Sequence, residues 1–150
     1  MRWAVVSLYM GGSGKQGFYN SQEVGPARAM SHRGYECYIL IPCTEDRIRE
    51  ERAEDGIVMV YVPARVFDVN VKYDWSVLSE YKIDVVQINC DNRIFAYSAI
   101  RYCGRYGILC YTYFGTLESD SKSLSKRGFM RFFSCRNLSA MKCHKNFANT

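Results

Sequence analysis

Trp3-Ala4-Val5-Val6-Ser7-Leu8-Tyr9 runs without a charge into Met10-Gly11-Gly12-Ser13-Gly14-Lys15-Gln16-Gly17. An apolar run of that length suits a strand buried on both faces, the kind found inside parallel sheets. The glycines end it, because they permit positive φ and tight turns. Behind them Val24, Ala27 and Met30 fall at helical spacing over residues 20–33, with Gly34 as the stop. Pro26 costs a backbone hydrogen bond there, so the helix is expected to bend or begin near it. Tyr35 to Ile41 reads as a second strand closed by Pro42. Strand, glycine loop, helix and strand make the opening unit of an α/β fold.

The pattern continues outward from this unit. Thr44 to Asp55 is crowded with both signs of charge and has helical propensity. Glu54-Asp55-Gly56 before Ile57 to Val62 reads as a turn into a strand, so an exposed hairpin competes with that helix. Asp74 to Tyr81 is a short helix with Asp74 as its N-cap. Val85 to Cys90 is another buried-type strand, Ile94 to Tyr106 a helix ended by Gly107, and Ile108 to Phe114 a strand. Leu124 to Lys145 is helical, in one piece or two, and Phe147 to Thr150 opens a further strand. Continuous apolar strands alternating with helices predict one α/β domain over residues 1–150, a Rossmann-like parallel sheet with helices on both faces. Ligands in such sheets bind past the carboxyl ends of the strands. The segments that matter are those after Tyr9, Cys43, Cys90 and Phe114.

Composition narrows the function classes. Hydrophobic residues make up 48% and charged residues 23%, which excludes a disordered chain. No apolar run approaches the ~20 residues that span a bilayer. Met1-Arg2-Trp3 leads directly into the first strand, so no secretory leader is expected. The seven cysteines are odd in number and contain no C-x-x-C pair. They read as reduced thiols in a cytoplasmic protein, with no metal site, since Cys143-His144 lacks further ligands. The net charge of +5 is uneven. Residues 1–120 carry 13 Lys and Arg against all 15 Asp and Glu, whereas residues 121–150 carry seven Lys and Arg and no acid. Such a section suits an anionic membrane, a phosphorylated ligand, nucleic acid, or simply a solvated helix face. No nucleic-acid recognition motif accompanies it, so nucleic acid is not an expected partner.

The glycine segment invites a phosphate, because closely approaching backbone N–H groups and a helix N-terminus attract negative charge. A Walker A loop is excluded: the required first glycine position is Tyr9, and Gln16 stands where Ser or Thr is needed. A dinucleotide fingerprint is present as Gly12, Gly14 and Gly17, but the second strand ends Leu40-Ile41-Pro42-Cys43, without the ribose-binding acid. A receiver-type signalling domain is disfavoured as well, since Asp91 is the one strand-end carboxylate.

Several stretches together resemble a known family. Ala4 to Tyr9 followed by Gly11-Gly12, then Ala27-Arg28-Ala29-Met30 and Arg33-Gly34-Tyr35-Glu36-Cys37, are similar to its first strand, glycine pair, helix and "RGHEV". Asp55-Gly56-Ile57 through Val62-Pro63 resembles "DGI…VP", and Asp84-Val85-Val86-Gln87-Ile88 resembles "DVVHVH". Cys110-Tyr111-Thr112-Tyr113-Phe114-Gly115-Thr116 resembles "VYTYHGT". In this order they resemble the N-terminal domain of a nucleotide-sugar glycosyltransferase of the two-Rossmann-domain (GT-B) class, most like retaining glycosyltransferase family 4. Tyr35 and Phe114 stand where the family has histidines. Phenylalanine donates no hydrogen bond, so that contact is expected to be lost.

The resemblance implies a hexosyltransferase-type enzyme whose N-terminal domain holds the acceptor and whose second domain holds most of the donor. Gly11, Gly12, Ser13, Gly14 and Lys15 would meet the nucleotide-sugar donor. Asn89, Asp91, Phe114, Gly115 and Thr116 would meet a saccharide or lipid-linked acceptor. No cofactor or metal is implied beyond the nucleotide sugar as co-substrate. Because many relatives use lipid-linked acceptors, Lys126, Arg127 and Arg131, interleaved with Leu124, Phe129, Met130, Phe132 and Phe133, would face an anionic membrane peripherally from the cytoplasm. That membrane contact belongs to the polysaccharide biosynthesis of a cell envelope. The family's domain continues past the position of Thr150, so the chain is expected to be a truncated piece, inactive alone and lacking the second domain. The competing expectation is a non-catalytic α/β module that binds a phosphate or nucleotide.

Overall fold

The structure, a computed structural model, describes residues 1–8, 23–67, 70–89, 93–113 and 123–142. In chain order the elements are β1 (Arg2–Ser7), α1 (Val24–Ser31), β2 (Glu36–Cys43), β3 (Arg49–Arg52), a 3-10 turn (Glu54–Gly56), β4 (Val58–Phe67), β5 (Asn70–Tyr73), α2 (Ser76–Glu80), β6 (Val85–Asn89), α3 (Ala96–Tyr106), β7 (Leu109–Tyr113) and α4 (Leu124–Lys142). The strands form one seven-stranded sheet in the order β3-β4-β2-β1-β6-β7, with β5 paired to β4. Strands β4, β2, β1, β6 and β7 are parallel to their neighbours. Strands β3 and β5 are antiparallel to β4. The fold is therefore α/β and Rossmann-like, with a mostly parallel mixed sheet.

The uninterrupted apolar run places β1 at the centre. Trp3, Ala4, Val5 and Val6 are fully buried, because helices cover both faces of this strand. Alternate side chains go opposite ways. Ala4, Val6 and Leu8 join Tyr38, Leu40, Val86 and Ile88 beneath α2 and α3, whose Leu78, Ala99 and Ile100 complete that core. Trp3 and Val5 join Cys37, Ile39 and Ile57 beneath α1, which contributes Val24 and Ala27. Pro26 lies in the first turn of α1, where its missing N–H costs little, so the helix begins near it rather than bending.

Local signals set most boundaries. Trp75 rather than Asp74 is the N-cap of α2 and makes no side-chain cap, while Asp74 Oδ1, one residue earlier, accepts the Ser76 backbone N–H at 3.0 Å. Gly107, at φ +70°, ends α3 in the left-handed region that its missing Cβ permits. Pro42 does not close β2; it pairs with Val62 of β4 inside the strand. The β1–β2 register has ended at Leu40, so one side of β2 is unpaired there and tolerates a residue without an N–H.

Three expectations change. Residues 49–52 form an edge strand rather than part of a helix: the hairpin reading holds. Its register sets Arg49 opposite Tyr61, with the guanidinium 3.9 Å from the ring centroid, and Glu51 accepts the Tyr61 hydroxyl at 3.2 Å. Pairing with β4 outweighs the weak helix preference of a charged segment, and the exposed Arg-Glu-Glu-Arg guards the sheet edge. Strand β4 also runs beyond Pro63 to Phe67 and turns into β5, a ribbon the sequence reading left unassigned. Residues 124–142 form one continuous helix through Gly128. The strand expected over 147–150 lies outside the described residues.

The tyrosines tie stability to alkaline pH. Burial, then its hydrogen bond to Glu36, pushes the Tyr38 hydroxyl up to about 12. Burial likewise raises Tyr61, Tyr81 and Tyr111, and it raises Tyr73 strongly. Unfolded tyrosines ionise near pH 10. Above that pH the folded state holds more protons, so stability is complete below about pH 10 and falls as pH rises toward 12. Urea midpoints measured between pH 8 and pH 11 should drop only in the upper part of that interval; a flat profile would contradict the buried hydroxyls.

Candidate functional site

The chain passes from β1 to β2 on one side and later returns to β6 on the other side of β1. This reversal makes β1 and β6 the switch point of the sheet, where a crevice opens past the carboxyl ends. Ser7 and Asn89 are register partners at that end, and Asn89 also pairs with Tyr113 of β7. The glycine segment is bracketed there. The chain leaves through Leu8, whose carbonyl accepts the Val71 N–H at 3.2 Å, and re-enters at Glu23. Glu23 Oε1 in turn accepts Asn89 Nδ2 at 3.1 Å. Tyr73 reaches in from β5 and donates its hydroxyl to the Ser7 carbonyl at 2.9 Å. Burial first, then the charge of Glu23, keeps that phenol neutral.

A buried line of polar side chains feeds this crevice from below. Trp3 Nε1 donates to the Tyr111 hydroxyl at 3.0 Å, and that hydroxyl donates to Gln87 Oε1 at 2.9 Å. Gln87 Nε2 donates to Asn89 Oδ1 at 2.8 Å, and Asn89 Nδ2 then meets Glu23. Trp3 is fully buried, with Gln87 4% and Asn89 3% exposed. The direction of the line follows from its first member. An indole N–H only donates, so Tyr111 must accept it and pass its own proton to the Gln87 carbonyl. The amide of Gln87 therefore faces the Asn89 carbonyl, and the amide of Asn89 faces outward, to a carboxylate that only accepts when ionised. A one-way chain thus aims the Asn89 amide at the switch point.

Of the residues singled out from sequence, Asn89 stands at this crevice. Gly11, Gly12, Ser13, Gly14, Lys15, Asp91, Phe114, Gly115 and Thr116 lie outside the described residues. Lys126, Arg127 and Arg131 are elsewhere, exposed on α4. That helix packs on α3 through Phe133, Asn137 and Ala140, and presents Leu124, Phe129 and Phe132 to solvent. Asn137 Nδ2 donates to the Arg93 carbonyl at 3.2 Å and fastens α4 to the segment that leads into α3. Among the described residues no helix is long and apolar enough to cross a membrane, and no three His, Cys, Asp or Glu side chains gather where they would hold a metal.

Sequence reading passed over Trp3, Glu23, Tyr73, Gln87 and Tyr111. A signal existed for one of them. Gln87 and Asn89 alternate with Val86 and Ile88, so one face of an otherwise apolar strand is polar at two successive positions. No protein-family model and no curated protein matches the chain in sequence.

Proposed function

We propose that this chain is the acceptor-side domain of a nucleotide-sugar glycosyltransferase. The observation that carries the reading is the bracketing of the glycine segment by Leu8 and Glu23 at the switch point, beside the buried Asn89 amide. A nucleoside diphosphate departing from a sugar gathers negative charge. Backbone N–H groups of Gly11 and Gly12 would stabilise it without reorganising. Half-buried Ser7 and Glu23, with the buried Asn89 behind them, place polar groups at this end of the sheet, as recognition of a polyhydroxylated acceptor requires. The sequence stretches that resemble the family are all part of the sheet or its turns: Arg33 to Cys37 turns from α1 into β2, Val85 to Ile88 lies in β6, and Cys110 to Tyr113 in β7.

The test is titration of the chain with uridine, guanosine and adenosine diphosphates, repeated with Gly12→Val. At least one nucleotide should bind, and the variant should lose about tenfold or more, the worth of a charge-assisted hydrogen bond. Unchanged affinity would remove the glycine segment from the reading. Binding by the chain, with no sugar transfer when it is joined to any donor-binding domain, would favour a nucleotide-binding module instead.

On the same proposal α4 rests against an anionic bilayer at the cytoplasmic face, as a lipid-linked acceptor would require. Its exposed Lys126, Arg127 and Arg131 beside Phe129 and Phe132 support this. Cosedimentation with phosphatidylglycerol vesicles should weaken as salt rises, because surface charge is screened within about 10 Å at 0.1 M. Binding that ignores salt, or no binding, would separate α4 from the bilayer.

A further inference from the structure

Between α3 and α4 lies an open groove of about 590 Å³, lined by Tyr97, Arg101, Phe132, Cys135, Arg136, Ser139 and Ala140. It sits in the helix layer, away from the strand ends. Two guanidinium groups converge on it from different helices. Arg136 is held in place: its Nη2 donates to the Ile94 carbonyl at 2.7 Å, and its plane lies 4.8 Å from the Tyr97 ring centroid and 4.5 Å from that of Phe133. Its Nε is buried and meets no acceptor. Arg101 reaches the Tyr97 hydroxyl at 3.3 Å from the neighbouring turn.

Three other arginines of the fold are paired with carboxylates: Arg2 with Glu36, Arg28 with Asp55, and Arg49 with Glu45 and Glu51. Among the described residues no carboxylate pairs with Arg101 or Arg136. The last thirty residues of the sequence, which include α4, contain no acid at all. A fixed, partly buried cation, a second cation beside it and two hydroxyls, on Tyr97 and Ser139, form the donor set that suits a phosphate. The rest of the lining is Phe132, Cys135 and Ala140, and the volume far exceeds one phosphate. The ligand must therefore carry an apolar part against those residues.

We propose that the α3–α4 groove binds a phosphate ester with an apolar substituent, its phosphate between Arg101 and Arg136 and its apolar part against Phe132 and Ala140. Two sources share this chemistry: a soluble phosphate ester, or a phospholipid headgroup entering as α4 meets a bilayer. The probes are hexyl phosphate in solution, and phosphatidylcholine vesicles with and without phosphatidic acid. The variants are Arg101→Gln, whose side chain is exposed, and Ser139→Leu, which fills the groove from an exposed helix position. Both should keep their helical circular dichroism. A third chain, Lys126→Glu with Arg127→Glu and Arg131→Glu, reports general surface charge.

Saturable hexyl phosphate binding that falls about tenfold or more in Arg101→Gln and in Ser139→Leu supports the soluble source. Binding confined to phosphatidic acid vesicles, with the same two losses, supports the headgroup source. Neither probe binding overturns the proposal. So does binding that Arg101→Gln and Ser139→Leu leave unchanged, including vesicle binding that only the triple charge reversal removes.

Discussion

Trp3→Ala should cost about 3–5 kcal/mol, the usual price of emptying a large aromatic site in a core. Trp3 has no exposed surface and packs with Val5, Val24, Ala27, Cys37, Ile39 and Ile57 under α1. Helix α1 has only eight residues and cannot easily close over the void. Domains of this size hold about 5–15 kcal/mol in total, so this one change should move the urea midpoint far toward zero. Trp3→Phe separates packing from polarity. It keeps most of the ring volume but removes the donor that orders Tyr111, and about 1 kcal/mol should be lost on that account. A double-mutant cycle of Trp3→Phe with Tyr111→Phe should show coupling above about 0.5 kcal/mol, as expected for members of one network. A cost for Trp3→Ala below about 1 kcal/mol would mean that the indole is not enclosed as described.

Asn89→Asp should be the most damaging isosteric change in the crevice. The wild-type amide donates to Glu23 across 3.1 Å. A carboxylate in its place turns that hydrogen bond into a repulsion of about 1–5 kcal/mol, between the limits of water and an effective dielectric of 20. One of the two carboxyls then titrates above its unfolded value near 4. The deficit is accordingly full at pH 7 and shrinks as pH falls toward 5, where the pair shares a proton. Asn89→Leu has a different signature. It strands the buried Gln87 amide at a cost of about 1–3 kcal/mol that does not depend on pH over the same range. Denaturation curves at pH 7 and pH 5 for both variants check the pair. Equal deficits at the two pH values for Asn89→Asp would show that Glu23 does not face this position.

These two residues also show where sequence reading stops. Asn89 was named through the family resemblance, one residue before the end of the strand expected over Val85 to Cys90. Its partner Glu23 was not, because nothing local connects a residue before α1 with the end of β6. Trp3 and Tyr111 are 108 residues apart, and they meet only because β1 and β7 flank β6 in register. The groove between α3 and α4 is similar: the absence of acid in the last thirty residues was visible, but the approach of Arg101 to Arg136 required the two helices to pack. The glycine segment, the most suggestive motif of the sequence, lies outside the described residues, and its flanks Leu8 and Glu23 stand at the crevice.

The amino-acid sequence by itself determined the alternation of strand and helix, the buried central strand, the ends of α1 and α3 at Gly34 and Gly107, and the basic character of α4. Those properties come from periodicity, backbone freedom and charge, each readable over a few neighbouring residues. Only the tertiary structure decided that residues 49–52 pair as an edge strand, that β4 folds back on β5, and that β1 and β6 meet at the switch point. Only it aligned five side chains into a directed polar line. Each of those outcomes depends on register between distant strands, where cross-strand hydrogen bonds and shared burial override the weak preferences of a short segment.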